Sequence, residues 1–218
     1  MQKPQALALD KDGVIFDSER LYLLSFQGAM RDLGLQLDPA LLHQFAGQST
    51  ENLFRMLRPH LQAQGIMEDI FLIYMLANRD ALIEQQGMLF NEGAVELITA
   101  IRQAGIPLAL VTADDAKSTK TDFVLSGRPE LMDYFNVIIT KDNCENTKPH
   151  PEPYQLAAQK LGVSPSALLV VEDSDVGASS ALAAGAQTLL LVSDLNGSNT
   201  VQTHAKINHL NAVLSYFA

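Results

Sequence analysis

The stretch that decides the fold is DKDGVIFDSE, residues 10–19, which directly follows the apolar run ALAL of residues 6–9. Such a run is typical of a buried strand, so Asp10 comes where a strand ends. Open α/β sheets bind their ligands just outside the carboxyl ends of their strands. Gly13 permits a turn that would bring Asp10 and Asp12 to one pocket. One carboxylate could then act as a nucleophile toward phosphorus while the other transfers protons, although a lone DxDG motif also fits a surface turn.

The composition is that of a globular protein with room for one core domain and a smaller one. Of the 218 residues, 47% are hydrophobic and 18% are charged. The formal net charge of −10, with no offsetting Lys/Arg cluster, argues against a nucleic-acid or anionic-membrane partner. The single Cys144 excludes an intrachain disulfide and fits a reducing compartment. No apolar run approaches the roughly 18 residues of a membrane span, so we expect a cytoplasmic protein.

Helical periodicity follows the acidic stretch and continues as far as Gln86. The pattern predicts a helix that ends at Gly34, a short helix over residues 39–46, another from 51 to about 57 before Pro59, and a long one over residues 68–86. This block contains no convincing strand. We therefore expect a small helical cap domain, residues 17–89, inserted into an α/β core of residues 1–16 and 90–218.

From residue 91 onward, strands and helices alternate, which predicts a doubly wound parallel sheet with right-handed crossovers. After the first strand, further strands are expected at residues 107–111, 137–140, 168–171 and 188–192. The intervening helices are expected at residues 93–104, 116–125, 151–161 and 176–184. Residues 193–203 are predicted to form a loop, and residues 209–217 a final helix.

Polar residues follow four of the predicted strands at their carboxyl ends. They are Asp10 and Asp12 after the first, Thr112 after the second, Lys148 in the loop after the third, and Glu172 and Asp173 after the fourth. A phosphoryl group held there would face several carboxylates, and each like-charge contact at about 4 Å costs on the order of 4 kcal/mol at an effective dielectric of 20. The site therefore needs cations. Lys148 supplies one, and oxygen ligands from Asp10, Asp173 and a carbonyl near Asp12 suit Mg²⁺.

Taken together, these motifs resemble the haloacid dehalogenase (HAD) superfamily of hydrolases. The resemblance is to the branch with a helical cap inserted after the first motif, which includes β-phosphoglucomutase and sugar-phosphate phosphatases. It covers nearly the whole chain through residues 10–19, Thr112, the KPHPEPY stretch of residues 148–154, and residues 172–185.

The resemblance implies a role for each matched residue. Asp10 would be the nucleophile that forms an aspartyl-phosphate, and Asp12 the general acid and base. Thr112, Ala113 and Lys148 would bind the phosphoryl group. The Mg²⁺ ligands would come from Asp10, Asp12 through its carbonyl, and Asp173, with Glu172 in support.

Departures from the family pattern bear on the substrate. Phosphoglucomutase members carry a His where this chain has Tyr22 and an Arg near Thr50, so a sugar phosphomutase is the weaker interpretation. Dehalogenase relatives lack the second aspartate, and Asp12 therefore argues against carbon–halogen hydrolysis. Asp114 is an extra carboxylate after Thr112; we expect it to cap the following helix, with an outward turn or a bond to a substrate hydroxyl as alternatives.

These observations predict a Mg²⁺-dependent phosphatase that hydrolyses a small phosphomonoester, most simply a sugar or polyol phosphate. The alternatives are a sugar phosphomutase and a non-catalytic phosphate-binding regulator on the same fold. The expected partner is a small phosphorylated metabolite rather than a nucleic acid or a membrane, and the expected state is a monomer or weak dimer. The loop of residues 47–52 is where specificity is expected.

Overall fold

The computed structural model of the protein describes residues 2–37, 50–194 and 199–218. The chain divides into two compact units. One contains Met1–Asp17, Met88–Asp194 and Asn199–Ala218, and the other contains Ser18–Gly87. The first unit is an α/β core and the second is built from helices, so the predicted fold class is confirmed.

The core unit is organised around a six-stranded, fully parallel sheet. Its strands are β1 (Ala6–Leu9), β2 (Leu108–Val111), β3 (Val137–Ile139), β4 (Leu168–Glu172), β5 (Gln187–Leu191) and β6 (Ala205–Ile207). They lie in the order β3-β2-β1-β4-β5-β6. β1 therefore lies inside the sheet, with β2 and β3 on one side of it and β4, β5 and β6 on the other. Ligands bind open α/β sheets at such a switch point, and Asp10 follows β1 there.

The helices within the described residues follow in chain order. They are α1 (Ser18–Leu33), α2 (Thr50–Ala63), α3 (Glu68–Gln86), α4 (Ala94–Gln103), α5 (Ala116–Leu125), α6 (Glu152–Leu161) and α7 (Asp175–Ala183). None of these helices is both long and apolar enough to cross a membrane.

Both faces of the central strand are covered. Ala6 and Ala8 belong to one buried cluster with Tyr154 and Ala157 of α6. Because side chains alternate along a strand, Leu7 and Leu9 face the opposite side. All of these residues are buried. Burial on both faces explains why β1 consists only of apolar residues, and it holds the end of β1 rigidly.

The helical unit has a core of its own. Phe26 and Ala29 of α1 pack with Leu57 of α2 and Phe71 of α3. The sequence predicted that α2 ends before Pro59, which is wrong, because the helix continues through Pro59 to Ala63. The buried face continues past the proline at Leu61, and we attribute the persistence of the helix to that burial. The helix predicted over residues 39–46 lies outside the described residues.

Two further differences from the sequence prediction lie near the C-terminus. The sheet has a sixth strand, β6, where none was expected, and it pairs with β5 through Leu189 opposite Ala205. Its three residues include Lys206 and form no apolar run, so the sequence carries little strand signal. The helix predicted over residues 209–217 is a 3₁₀ helix, Leu210–Tyr216, capped by the His209 side chain.

Candidate active site

The turn after β1 is held by backbone bonds and by one amide side chain. The Asp10 N–H donates to the Val171 carbonyl at 3.1 Å, which extends the pairing of β1 with β4. Gly13 has a φ of +73°. The Asn91 side chain donates to the carbonyls of Gly13 at 2.7 Å and Val14 at 3.1 Å. The chain can therefore reverse direction immediately after the two aspartates.

Two glycines make room for two carboxylates. A Cβ added at Gly13 would lie 1.8 Å from Oδ2 of Asp173, and one added at Gly177 would lie 2.0 Å from the Glu172 carboxyl group. No larger residue fits at either position without moving a carboxylate. The close approach of Asp173 to the turn thus depends on the glycine of the DxDG motif.

Lys148 lies at the centre of a buried cluster, with only 6% of its side chain exposed. Its ammonium donates to Asp10 Oδ1 at 2.5 Å, to Glu172 Oε1 at 2.6 Å and to the Val111 carbonyl at 2.9 Å. The Tyr154 hydroxyl also donates to Glu172 Oε1, at 2.5 Å. The ring of Tyr154 lies 5.0 Å from the ammonium. We call this group of side chains the Lys148 cluster.

The charges of the Lys148 cluster shift one another's pKa values. Burial raises the pKa of the Asp10 carboxyl to about 7; Lys148 opposes this shift, and Glu172 and Asp12 add to it. Burial would lower the pKa of Lys148, but the Asp10 and Glu172 carboxylates outweigh it and hold that pKa well above its usual range. The lysine is therefore charged. The carboxylates around Asp10 outnumber the ammonium group, so the binding of a further cation is favoured there.

Two carboxylates of this cluster and that of the neighbouring Asp173 form a set of possible metal ligands. Asp10, Glu172 and Asp173 each offer an oxygen within 4.8 Å of the others. Oxygen donors of this kind suit Mg²⁺. Because Oε1 of Glu172 already accepts from Lys148 and Tyr154, Asp10 and Asp173 are the more direct candidates.

A second lysine is buried on the other side of the DxDG turn. Lys11 is 1% exposed, and its ammonium contacts Asp114 Oδ2 at 2.7 Å, Asp122 Oδ2, and Asp12 Oδ2 at 3.4 Å. The Asp12 and Asp114 side chains are about half exposed. Burial would lower the pKa of Lys11, but these carboxylates raise it overall. Desolvation raises the pKa of Asp12, with Lys11 opposing. We call these four residues the Lys11 cluster.

Asp114 does not cap α5, contrary to the sequence prediction. Asp115 is the N-cap, and its Oδ1 accepts from the Ser118 N–H at 2.7 Å. Asp114 lies one residue earlier, where its N–H donates to Thr112 Oγ1 at 3.1 Å and its carbonyl accepts from Lys141 at 2.9 Å. Its side chain is thereby directed to Lys11 instead of to the helix.

The predicted phosphate-binding positions lie at the end of β2. Thr112 is buried and its N–H donates to the Ile139 carbonyl at 2.9 Å, while its hydroxyl accepts from Asp114. Among the described residues, nothing accepts from the N–H of Ala113, nor from those of Lys11 and Asp12. Backbone N–H groups of this kind can bind phosphate oxygens.

The predicted site residues therefore fall into two groups, one around Lys148 and one in which Asp12 faces Lys11. Sequence reasoning missed the roles of Lys11, Tyr154, Asn91 and Asp122. For two of them the sequence contained a signal: Lys11 lies between the two aspartates, and Tyr154 is the last residue of the KPHPEPY stretch. No sequence signal distinguished Asn91 or Asp122, because their contacts depend on how distant segments pack.

Comparisons with known proteins show what this chain is similar to. Residues 7–191 match the model of the haloacid dehalogenase-like hydrolases. The chain is 29% identical to pyrophosphatase PpaX of Bacillus pumilus over 199 residues, which are 89% of this chain and 86% of that protein. It is 28% identical to hexitol phosphatase A of Escherichia coli over 180 residues, which are 83% and 79% of the two chains.

A solved structure is similar over almost the full length. A HAD family hydrolase from Deinococcus radiodurans, crystallised with bound phosphate and sodium, has a TM-score of 0.76 and 25% identity. The similarity covers 98% of this chain and 94% of that one. These findings confirm the resemblance drawn from the sequence and the expectation of a phosphatase enzyme. The chain belongs to the haloacid dehalogenase-like hydrolase family.

Proposed function

We propose that the protein hydrolyses a small phosphomonoester, a sugar or polyol phosphate, with Mg²⁺ and through an aspartyl-phosphate on Asp10. The observation that carries the proposal is the Lys148 cluster: a buried carboxylate at the end of the central strand, bonded to a buried ammonium. Asp173 lies beside the same turn. A nucleophile, a fixed cation and a set of hard oxygen ligands are thus combined within one small volume.

In the first step, Asp10 attacks phosphorus. Lys148 holds Oδ1 of Asp10, which leaves the other oxygen for the new bond to phosphorus. The bond from phosphorus to the leaving oxygen breaks, and Asp12 gives its proton to that oxygen. The raised pKa of Asp12 suits it to carry this proton. Thr112 and the Ala113 N–H hold phosphoryl oxygens.

In the second step, water displaces Asp10. Asp12, now ionised, takes a proton from a water molecule whose oxygen bonds to phosphorus. The bond between phosphorus and Asp10 breaks, which restores the Asp10 carboxylate and releases phosphate. Asp12 ends the cycle protonated, as it began.

Asp10, Asp173 and the Asp12 carbonyl would hold the Mg²⁺, with Glu172 fixing the position of Lys148 beside them. When bound, the ion supplies positive charge that offsets the repulsion between the phosphoryl oxygens and the carboxylates. Without it, a phosphomonoester would enter a site with more carboxylates than ammonium groups.

The substrate class is supported by chemistry and by a relative. The similar hexitol phosphatase A is named for phosphates of open-chain polyols. The alkoxide oxygen of such a polyol is a poor leaving group and needs a proton as its bond to phosphorus breaks. A proton donor at Asp12 answers that need. We further propose that residues 17–89 act as a cap that selects the leaving group. Residues 47–49 of the loop in which specificity is expected lie outside the described residues.

The proposal is tested by phosphate release from sugar, polyol and nucleotide monophosphates and from pyrophosphate, each assayed with Mg²⁺ and with chelator. We expect Mg²⁺-dependent release concentrated on sugar or polyol phosphates, and no release by Asp10→Asn with an unchanged circular dichroism spectrum. Activity retained by Asp10→Asn would contradict the aspartyl-phosphate mechanism. Conversion of a sugar phosphate to its isomer without net phosphate release would establish a mutase instead.

A further inference from the structure

We infer that Lys11 is a positioning residue for the proton-transferring carboxylate of Asp12, and that Asp114 and Asp122 hold Lys11 in place. The inference rests on the proposed function, since it assigns Asp12 the role of general acid and base. We assign Lys11 no contact with the reacting atoms: it acts only through Asp12, whose carboxylate its ammonium contacts.

The ammonium of Lys11 has three N–H donors and meets three carboxylates. The contacts to Asp114 and Asp122 are short, and the contact to Asp12 is the longest, at 3.4 Å. Two short contacts fix the position of the ammonium, while the third leaves the Asp12 carboxylate free enough to exchange a proton. This asymmetry is what a positioning cation requires.

The two anchoring carboxylates come from segments that are themselves fixed. The backbone of Asp114 is bonded at its N–H and its carbonyl to Thr112 and Lys141. Asp122 precedes Phe123, which is buried and packs edge-on against Phe16 with ring centroids 5.0 Å apart. Phe16 belongs to the same turn as Lys11. The packing of α5 against this turn therefore brings Asp122 to the ammonium.

Asp12 needs such a neighbour because its side chain is 45% exposed. A half-exposed carboxylate can populate several rotamers, and only some of them would direct it to the leaving oxygen. A buried, immobile ammonium at 3.4 Å attracts the carboxylate toward one side. Asp114, which the family resemblance left without a role, thereby acquires one as a partner of Lys11.

The test compares two substrates that differ in their need for a proton. These are p-nitrophenyl phosphate, whose phenolate leaves unprotonated, and the alkyl phosphate that the wild type hydrolyses fastest. Because kcat/KM reports the steps up to departure of the leaving group, it isolates the acid role of Asp12. We expect Lys11→Met to lower kcat/KM by about 100-fold for the alkyl phosphate and by less than about 10-fold for the aryl phosphate.

Asp122→Asn keeps the shape of its side chain and serves if Lys11→Met does not fold. Asp122→Asn should also lower kcat/KM more for the alkyl phosphate than for the aryl phosphate, with a smaller loss than Lys11→Met. Added to Lys11→Met, it should lower kcat/KM no further. Lys160→Met, which removes an exposed lysine from α6, should leave both values unchanged.

The outcomes separate this inference from the proposed function. Equal losses for both substrates in a folded Lys11 or Asp122 variant would reduce Lys11 to a structural role and overturn the inference, as would no loss. The phosphatase proposal would stand in either case, provided that the wild type is active and Asp10→Asn is not.

Discussion

The active-site region contains two buried lysines, and the difference between them lies in the exposure of their partners. Lys148 is bonded to Asp10 and Glu172, both of which are buried, and its side chain is 6% exposed. Lys11 is 1% exposed, but Asp12 and Asp114 beside it are about half exposed. One lysine thus lies within a buried group of charges, and the other lies beneath carboxylates that reach solvent.

The difference shows why two lysines that lie close to the same turn in space can serve different purposes. In the Lys148 cluster, burial makes the negative charge costly, and a phosphoryl group or metal changes that balance strongly. In the Lys11 cluster, solvent screens the carboxylates and the ammonium is already matched by them. We therefore expect Lys148 to affect phosphate binding and Lys11 to affect proton transfer.

The largest expected effect is that of Lys148→Met. Removal of the fixed cation should lower kcat by about 10²- to 10³-fold, as for the loss of one preorganised charge stabiliser. It should also weaken inhibition by inorganic phosphate, because phosphate would then meet uncompensated carboxylates. The measurement is steady-state kinetics with phosphate as a competitive inhibitor.

Lys11→Met provides the contrast, since it should leave phosphate inhibition close to that of the wild type. Equal weakening of phosphate binding by both substitutions would contradict separate roles for Lys148 and Lys11. Circular dichroism and thermal unfolding of each variant establish that the comparison is made between folded proteins.

The next largest effect is expected for Gly13→Ala. The φ of +73° at Gly13 is matched at Gly162, where an added Cβ would meet nothing within 4 Å. Both substitutions should destabilise the fold by about 1–2 kcal/mol because of the left-handed backbone. Gly13→Ala alone must displace Asp173, and we expect it also to lose the stabilisation by Mg²⁺.

The measurement is the shift of the unfolding temperature on addition of Mg²⁺. Wild type and Gly162→Ala should be stabilised by about 2.7 kcal/mol at a Mg²⁺ concentration of 100 times Kd. An equal Mg²⁺ shift in Gly13→Ala would show that Asp173 does not need its present position.

Most of the Lys148 cluster could be predicted from the sequence, whereas most of the Lys11 cluster could not. Asp10, Lys148 and Glu172 follow different strands of one parallel sheet, and a sheet brings its strand ends together whatever the loops do. Asp122 reaches Lys11 only because α5 packs its Phe123 against the turn. Which face of a helix meets a given loop is a matter of tertiary packing, which local periodicity does not encode.

The same division applies to the fold. The apolar strands β1, β2 and β4 were located to within a residue or two, because their burial on both faces demands uninterrupted apolar sequence. The short edge strand β6 carries no such run and is defined by its pairing with β5. The capping of α5 was misassigned by one residue, from Asp115 to Asp114, since either aspartate satisfies the preference for a helix N-cap.

A moderate effect of pH should distinguish the two clusters. Asp10 has a pKa raised from 3.8 to about 7, so the folded protein keeps a proton that the unfolded chain releases. Without metal, the free energy of unfolding should therefore fall as the pH rises from about 4 to about 7. Because Mg²⁺ competes with this proton, its stabilising effect should be larger at pH 8 than at pH 5.

The control variants assign the slope to one cluster. Asp10→Asn should flatten the pH dependence of denaturant unfolding, and Asp12→Asn should flatten it less, because the Asp12 side chain is 45% exposed. The raised pKa of Asp12 has the same sign, so its contribution is also lost as the pH rises. A slope that survives in Asp10→Asn would place the titrating group elsewhere.

The smallest expected effect on activity is that of Tyr154→Phe, which removes one hydrogen bond from the Lys148 cluster and keeps the aromatic ring beneath the ammonium. The loss should lower the free energy of unfolding by about 1.5–3 kcal/mol, as for a bond to a charged group, and lower kcat by less than about 10-fold. Tyr216→Phe is the control, because it removes the hydroxyl of a tyrosine that lies outside the Lys148 cluster. Since Lys148 still bonds to Glu172 and Asp10, phosphate inhibition should not change. If Tyr154→Phe weakened phosphate binding as much as Lys148→Met does, the tyrosine would share in holding the ammonium, and the cation of this cluster would depend on its aromatic neighbour as well as on its carboxylates.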